Sequence, residues 1–528
     1  MMKKPVSAPA WIFRVLLLLV LLCYWAVSLQ NLTVLPIVYE DEPWQASVGA
    51  KIAAHGILGS DLFEGYHEME RHYFGFMPLF PIALAALFRF ADAGLLQARF
   101  VTVSGGLLVL ALTFNFAKRL RLDARVGLLA TALLLGVRVF AVSPLHPTGI
   151  LFLDAVRVAR YDVLVPVLGL AALHAYLSAR RTQQLFWYGL AGCACALAAL
   201  THVYGAFFLL SILALMSWEK LSRRAAAIGA TLGGFVLPCT LYALYGFAHL
   251  DTWRAQTRLY AERFDVLNPA WYVNNLLREP ARYAIGLNDD SWWLRPGMWL
   301  VGIGFGASFV WLARRARREN NFAARVLVVI TSIFIGGYAL VLYSKFTNYL
   351  FAALPFVALA LAWGLWNFFG ACARSRPRFA RVSAYLLGSV LFVESVLQVA
   401  QLHHTALNTT PYATLIAQVQ AFIPRGARVI GMHHYGFGWE GYAYRSLAVP
   451  LLLVNPELET PPIALTDALD AQRPAFLLID ARMRAYLEND SRGSRKAFWD
   501  WMTARKAARI GSVDDKTYGA IEIYRVRE

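Results

Sequence analysis

A polytopic α-helical membrane protein of about eleven transmembrane helices, ending in a small α/β domain outside the membrane, is the fold class this sequence predicts. Three observations predict it. Of 528 residues, 58% are hydrophobic and only 16% charged, a balance outside the range of soluble globular chains. Apolar runs of the length a helix needs to cross a hydrocarbon core, roughly 20 residues, recur from Trp11 to about residue 400. The short segments between them gather basic residues in clusters, as cytoplasmic loops do.

The expected spans are 11–30, 98–117, 126–143, 163–178, 185–200, 203–218, 226–247, 297–313, 324–343, 349–370 and 382–400. The first, flanked by Lys3, Lys4 and Arg14, is long enough to span, and no small-x-small cleavage pattern follows it. The apolar run 78–90 is shorter and carries Pro78, Pro81 and Arg89. Charge placement decides its role. If it does not span, the clusters at 118–125, 180–181, 220–224, 314–318 and 374–381 all share the side of Lys3 and Lys4; if it spans, every one of them is inverted. It is therefore expected to lie at the outer interface.

This topology divides the chain into a multi-span domain, 1–402, with interfacial helices in the outer loop 31–97, and an extracytoplasmic α/β domain, 403–528. In the latter, strand-sized apolar runs at 427–432, 447–454, 475–479 and 520–526 stand between helix-like stretches at 412–422 and 495–509. Chemistry is expected in the outer segments 31–97, 143–162, 249–296 and beyond 403. The opposite connections are short and hold no glycine-rich phosphate loop. The net charge of +17 is spread over the loops rather than over one soluble module. That argues for an anionic membrane surface or a phosphate-bearing substrate, and against nucleic acid. The five cysteines (Cys23, Cys193, Cys195, Cys239, Cys372) sit in or beside apolar runs, so no disulfide framework is expected.

Glu40, Asp41 and Glu42 follow the first span directly. Three consecutive carboxylates repel one another and raise at least one pKa, which suits a general base or a cation site. They suit equally a solvated cap before Pro43. Arg157, Arg160 and Asp162 stand at the outer entry of the fourth span. Asp162 fits a helix N-cap as well as a site, and the two arginines fit a phosphate or lipid head groups. Lys345 and Tyr349 lie at the outer end of a late span, His202 lies between the fifth and sixth, and Arg71 and His72 precede the interfacial helix. Their shared side is informative, because the spans themselves hold almost no mid-membrane carboxylate or lysine.

At these residues the sequence resembles the GT-C superfamily of glycosyltransferases, in the branch that contains protein O-mannosyltransferases and bacterial aminoarabinose transferases of lipid A. The resemblance covers the layout of the whole chain. It rests on the acidic pair after the first span, Phe76-Met77-Pro78-Leu79-Phe80-Pro81, Arg160-x-Asp162, the aromatic and basic stretch 343–349 before a proline-bearing span, and the outer C-terminal domain. It implies a GT-C-like fold, a sugar donor on polyprenyl phosphate and an envelope glycan, lipid or protein as acceptor, with membrane lipid around it. It also implies residence in a bacterial inner membrane, with the active site and C-terminal domain on the periplasmic side.

Asp41 matches the catalytic carboxylate of the family, and Arg160 and Asp162 match its second outer-loop site. Relatives often carry a basic residue just before the first proline of the interfacial helix, where this sequence has Met77. Phosphate binding is then left to Arg71, Arg160 or Lys345. In the implied mechanism Asp41 deprotonates the acceptor hydroxyl for an inverting attack on the anomeric carbon, and Glu42, one residue on, is chemically able to serve instead. Glu42, Arg71, His72, Arg160, Asp162, His202, Lys345 and Tyr349 are the expected substrate-binding set. No cofactor is required; Asp41, Glu42 and Asp162 offer hard oxygen ligands to a divalent cation, without a diagnostic spacing, and no metal site is expected. The alternative from another class is a transporter or flippase of a lipid-linked or small anionic substrate, which calls for internal repeats and midplane ionisable residues.

The topology has a direct check. Reporter fusions at Asp92 and Asp123 are expected on opposite sides of the membrane; the same side for both would move Asp41 or Asp162 away from the other.

Overall fold

The computed structural model describes residues 10–219, 223–283, 295–459, 461–489 and 494–527. Lys3, Lys4 and Lys220 lie outside them. Eight helices among the described residues, rather than eleven, are long and apolar enough to cross a membrane. They include α1 (Ala10–Leu29), α4 (Leu95–Arg119), α7 (Leu164–Thr182, preceded by a 3-10 turn at Tyr161–Val163) and α10 (Arg224–Ala248). The remaining four are Gly297–Arg318, Phe322–Leu340, Leu354–Ser375 and a long last helix, Pro377–Leu407.

The three expected spans that fall short are α5 (Ala124–Gly136), α8 (Leu185–Thr201) and α9 (Ala206–Trp218). α5 and α9 have 13 residues and α8 has 17, below the length set by composition and rise alone. Yet α8 and α9 still carry the chain from the end of α7 to His202 beside Tyr161 and back to Glu219 beside Arg180. The reasons are local. α5 ends where Val137 turns extended, and the apolar run 185–218 is broken at His202, whose extended backbone (φ −157°, ψ 143°) stops α8.

Between α1 and α4 the chain forms two short helices, α2 (Asp41–His55) and α3 (Leu79–Phe88). The ten residues of α3 rise about 15 Å, half of what a span needs. α2 and α3 meet at Gly49, where a Cβ would stand 2.8 Å from that of Leu84, so only glycine permits the approach.

Two arginines hold this region against the bundle. The last carbonyls of a helix have no partner within it, which is costly where water is scarce. Arg157, fully buried, answers those of α1: its guanidinium donates to the carbonyls of Val27, Ser28, Gln30 and Leu35 at 2.7–3.0 Å. Arg157 therefore faces neither a phosphate nor lipid head groups. Arg99, in the first turns of α4, donates through Nε and Nη2 to the two carboxylate oxygens of Glu42, both at 2.8 Å, and through Nη1 to the Leu32 carbonyl at 2.7 Å. The Glu42 carboxylate also accepts from the backbone N–H groups of Tyr39 and Ala159 at 2.8 Å.

The C-terminal domain is built on a five-stranded sheet, β1 (Arg428–Gly431), β2 (Ala443–Ser446), β3 (Phe476–Asp480), β4 (Ala508–Asp515) and β5 (Gly519–Arg525). Its order is β2-β1-β3-β5-β4, with the first three strands parallel and the β4–β5 hairpin antiparallel to β3. The expected strand at 447–454 is instead a helix, Ala448–Leu453. Val449 and Leu453 pack into one core and Leu447 and Leu451 into another; each pair is four residues apart, the helical spacing. The helix expected at 495–509 ends at Ala504, and β4 follows.

Removing the Arg99 charge (Arg99→Met) leaves Glu42 buried without a cation, a loss commonly costing about 3–5 kcal/mol. Thermal unfolding of the purified variant in detergent is expected to show a large drop in midpoint; an unchanged midpoint contradicts the anchoring role.

Candidate active site

The start of α2 sends three adjacent carboxylates to three different partners. Each step along a helix turns about 100°, so neighbours cannot face the same group. Glu40 faces the C-terminal domain, with its Oε2 3.7 Å from His433 Nε2 and its Oε1 3.5 Å from Arg482 Nη1. The neighbouring His433 imidazole holds its carboxyl below the usual range. Glu42 is fully buried and spends its lone pairs on Arg99, Tyr39 and Ala159. Asp41 lies between them, partly exposed, with Oδ2 3.4 Å from Arg160 Nη2. Burial pushes the Asp41 carboxyl above its usual range; Arg160 and His433 oppose the rise, and the charges of Asp162 and Glu40 add to it.

Arg160 is the frame of the site. Its Nε is 3.2 Å from Asp162 Oδ2, its Nη2 donates to the Tyr161 hydroxyl at 3.1 Å, and its guanidinium lies over the rings of Tyr39 and Tyr161 at 5.0 and 5.2 Å. Asp162 does not cap a helix. Its Oδ1 accepts a 2.6 Å hydrogen bond from the Tyr204 hydroxyl, and Arg160 holds the cap position of the turn that follows. His202 stacks on Tyr161 with ring centres 4.7 Å apart and also touches Tyr204 and Tyr349. Burial pushes the His202 imidazole down to about 3, so it is neutral at physiological pH and brings no charge to a phosphate.

Beside this aromatic wall is a cavity of about 190 Å³, bounded by Phe76, Tyr161, His202, Tyr260, Arg263 and Tyr349. Arg263 is the residue that sequence reasoning missed. Its guanidinium lies 4.6 Å from the Tyr260 ring, and no carboxylate pairs with it among the described residues. Its only sequence signal was one arginine among several in the outer segment 249–296.

The structure thus gathers Asp41, Arg160, Asp162, His202 and Tyr349. It places the other expected residues elsewhere. Lys345 sits 3.0 Å from Glu279 and donates to the Tyr338 and Ala339 carbonyls at 3.0 and 3.2 Å, the end of the Phe322–Leu340 helix. His72 stacks on His249 at 3.6 Å and meets the Tyr245 hydroxyl at 3.2 Å, while Arg71 is exposed on the same loop. No group of three or more His, Cys, Asp or Glu among the described residues could hold a metal ion. Between Asp41 and Asp162 stands the guanidinium of Arg160.

Residues 11–253 match the family model of the dolichyl-phosphate-mannose-protein mannosyltransferases, PMT, a stretch that contains Asp41, Arg160, Asp162 and His202. That stretch, just under half of the chain, is similar to the PMT family. Its fold is similar to that of ArnT from Cupriavidus metallidurans, with a TM-score of 0.59 to the form bound to undecaprenyl phosphate and 0.60 to the apo form. In both cases identity is 16%, and 98% of this chain and 99% of the other are covered. The archaeal oligosaccharyltransferase AglB from Archaeoglobus fulgidus, solved with an inhibitory peptide and a dolichol-phosphate, matches at a TM-score of 0.53 and 12% identity, over 90% of this chain and 70% of its own. No curated protein sequence matches the chain. Arg263 and Tyr349 come from beyond the matched region, yet they line the same cavity as Tyr161 and His202 within it.

Because the Asp41 carboxyl titrates above the ordinary range, its charged form is lost as pH falls through that raised value. Arg160→Gln removes the attraction that opposes the rise. The acidic limb of the kcat/KM profile is then expected to move to higher pH; a limb that stays in place or moves lower contradicts the coupling of Arg160 to Asp41.

Proposed function

We propose that the enzyme transfers a sugar from a polyprenyl-phosphate carrier to an acceptor hydroxyl at the extracytoplasmic face of a bacterial inner membrane, with Asp41 as general base. The observation that carries this reading is the contrast between two neighbours. Asp41 is partly exposed, raised in pKa and held by a single cation, whereas Glu42 has no lone pair to offer. A base must be reachable and must want its proton.

The donor fits what surrounds that carboxylate. ArnT, which shares the fold, is bound to undecaprenyl phosphate, and AglB to a dolichol-phosphate. Here an apolar cavity of about 380 Å³, lined by residues such as Leu133, Val137, Phe152, Phe305 and Leu354, supplies a surface for a prenyl chain. Tyr283 and Thr347 at its edge lead toward the stretch that carries Tyr349. The donor phosphate is assigned to Arg263, whose charge has no carboxylate partner among the described residues, with Arg160 beyond the Tyr161 ring.

The reaction then balances simply. The acceptor O–H gives its proton to Asp41 as its oxygen bonds to the anomeric carbon. The bond from that carbon to the phosphate oxygen breaks, its electron pair leaves with the phosphate, and Arg263 and Arg160 stabilise the charge that develops. Attack from the face opposite the phosphate inverts the anomeric centre. The acceptor belongs to the classes expected from the sequence: an envelope glycan, lipid or protein.

The test compares Asp41→Asn with Glu42→Gln in purified enzyme with a defined polyprenyl-phosphate sugar and acceptor. Asp41→Asn is expected to keep donor binding while transfer falls by about 10² to 10⁴-fold. Glu42→Gln is expected to lose stability first. Normal turnover by Asp41→Asn would reject the assignment, and Arg263→Ala with an unchanged KM for donor would reject the phosphate site.

A further inference from the structure

At the end of the bundle opposite Asp41 the basic clusters that set the topology converge in space. α4 begins at the Glu42 anchor and α7 begins beside Asp162; both end at a cavity of about 1190 Å³. It is lined by Lys118, Arg119, Arg121, Arg180 and Arg181, and by no carboxylate among the described residues. Arg180 is answered from outside the cavity by Glu219, at 2.8 Å, and lies over the Phe322 ring at 3.7 Å. Arg119 donates only to neutral acceptors, the Ser178 hydroxyl at 2.6 Å and the His174 carbonyl at 3.1 Å. A second cavity on the far side of Arg180 adds Arg314, Arg317, Arg318 and Arg325 against Glu219 alone.

A basic loop satisfies the positive-inside rule without a cavity. These cations are exposed, and gathering them in one concave site concentrates a positive field that draws an anion. The apolar lining shows what kind of anion fits. Leu112, Leu122, Leu177, Phe322 and Trp363 line the same cavity beside the charged residues. A soluble phosphate has no use for that surface, whereas a lipid has a phosphate for the cations and a chain for the apolar lining.

We propose that this cavity binds the phosphate headgroup of an anionic phospholipid, in the leaflet opposite the active site. The site is separate from the sugar-transfer centre and does not rest on the assignment of Asp41.

The full-length enzyme, reconstituted in nanodiscs of phosphatidylcholine with a minor fraction of cardiolipin, tests it by native mass spectrometry of the lipids retained after release. Cardiolipin is expected to be enriched over phosphatidylcholine, and Arg121→Gln/Arg181→Gln is expected to lower its retention roughly fivefold to thirtyfold. Arg121→Lys/Arg181→Lys, which keeps both charges, is expected to retain it and so separates charge from misfolding. Equal retention by the wild type and the Gln variant, or no enrichment in the wild type, overturns the proposal. Displacement of cardiolipin by inorganic pyrophosphate would assign the cavity to a soluble phosphate and overturn the lipid assignment.

Discussion

One buried carboxylate ties this site together. Glu42 accepts hydrogen bonds from Arg99 of α4, from the Ala159 N–H at the approach to α7, and from the Tyr39 N–H of its own turn. Those segments are far apart in sequence, and a residue that bonds to all of them fixes their relative register. A buried ion pair adds little net stability compared with apolar packing, but it is expensive to break by halves. Ala159 is the neighbour of Arg160, and Glu42 is the neighbour of Asp41. The bond that anchors the fold therefore sets the distance between the two groups that face one another in the site.

The adjacent carboxylates show how environment divides labour among identical chemistry. Glu42 is saturated and structural. Glu40 reaches across to His433 and Arg482 and so links α2 to the C-terminal domain, whose Tyr435 and His434 are in turn held by Asp480. Asp41 alone keeps both exposure and an unfavourable environment for its charge. Burial raises this carboxyl, and the chief restraint on that rise is one arginine, itself shared with Asp162.

Much of this was legible in the sequence, and the gaps have physical causes. The grouping of Asp41, Arg160, Asp162, His202 and Tyr349 followed from their expected side of the membrane, since ionisable residues that share a surface have few places to go. What sequence could not supply was the identity of each partner. Glu42 and Asp41 differ by one residue, Arg157 and Arg160 by three, and only tertiary contacts send one of each pair to a structural task and leave the other in the site. Lys345 looked available because its partner, Glu279, lies 66 residues away in a different segment. Arg263 was hidden among other arginines of its loop. In the C-terminal domain the run 447–454 had no period to separate helix from strand until two cores claimed alternate pairs of its residues. Likewise, apolar composition marked α5, α8 and α9 as membrane helices, while an extended residue in each case decided their length.

The proposed mechanism, with a single carboxylate as base and the phosphate leaving group on the far side of the sugar, permits only a one-step displacement. The anomeric configuration of the product, read by NMR against a donor of defined configuration, tests that arrangement most directly. Inversion is the expected result. A retained configuration would require a covalent sugar intermediate and a second displacement, and would contradict the assignment of Asp41 as a base.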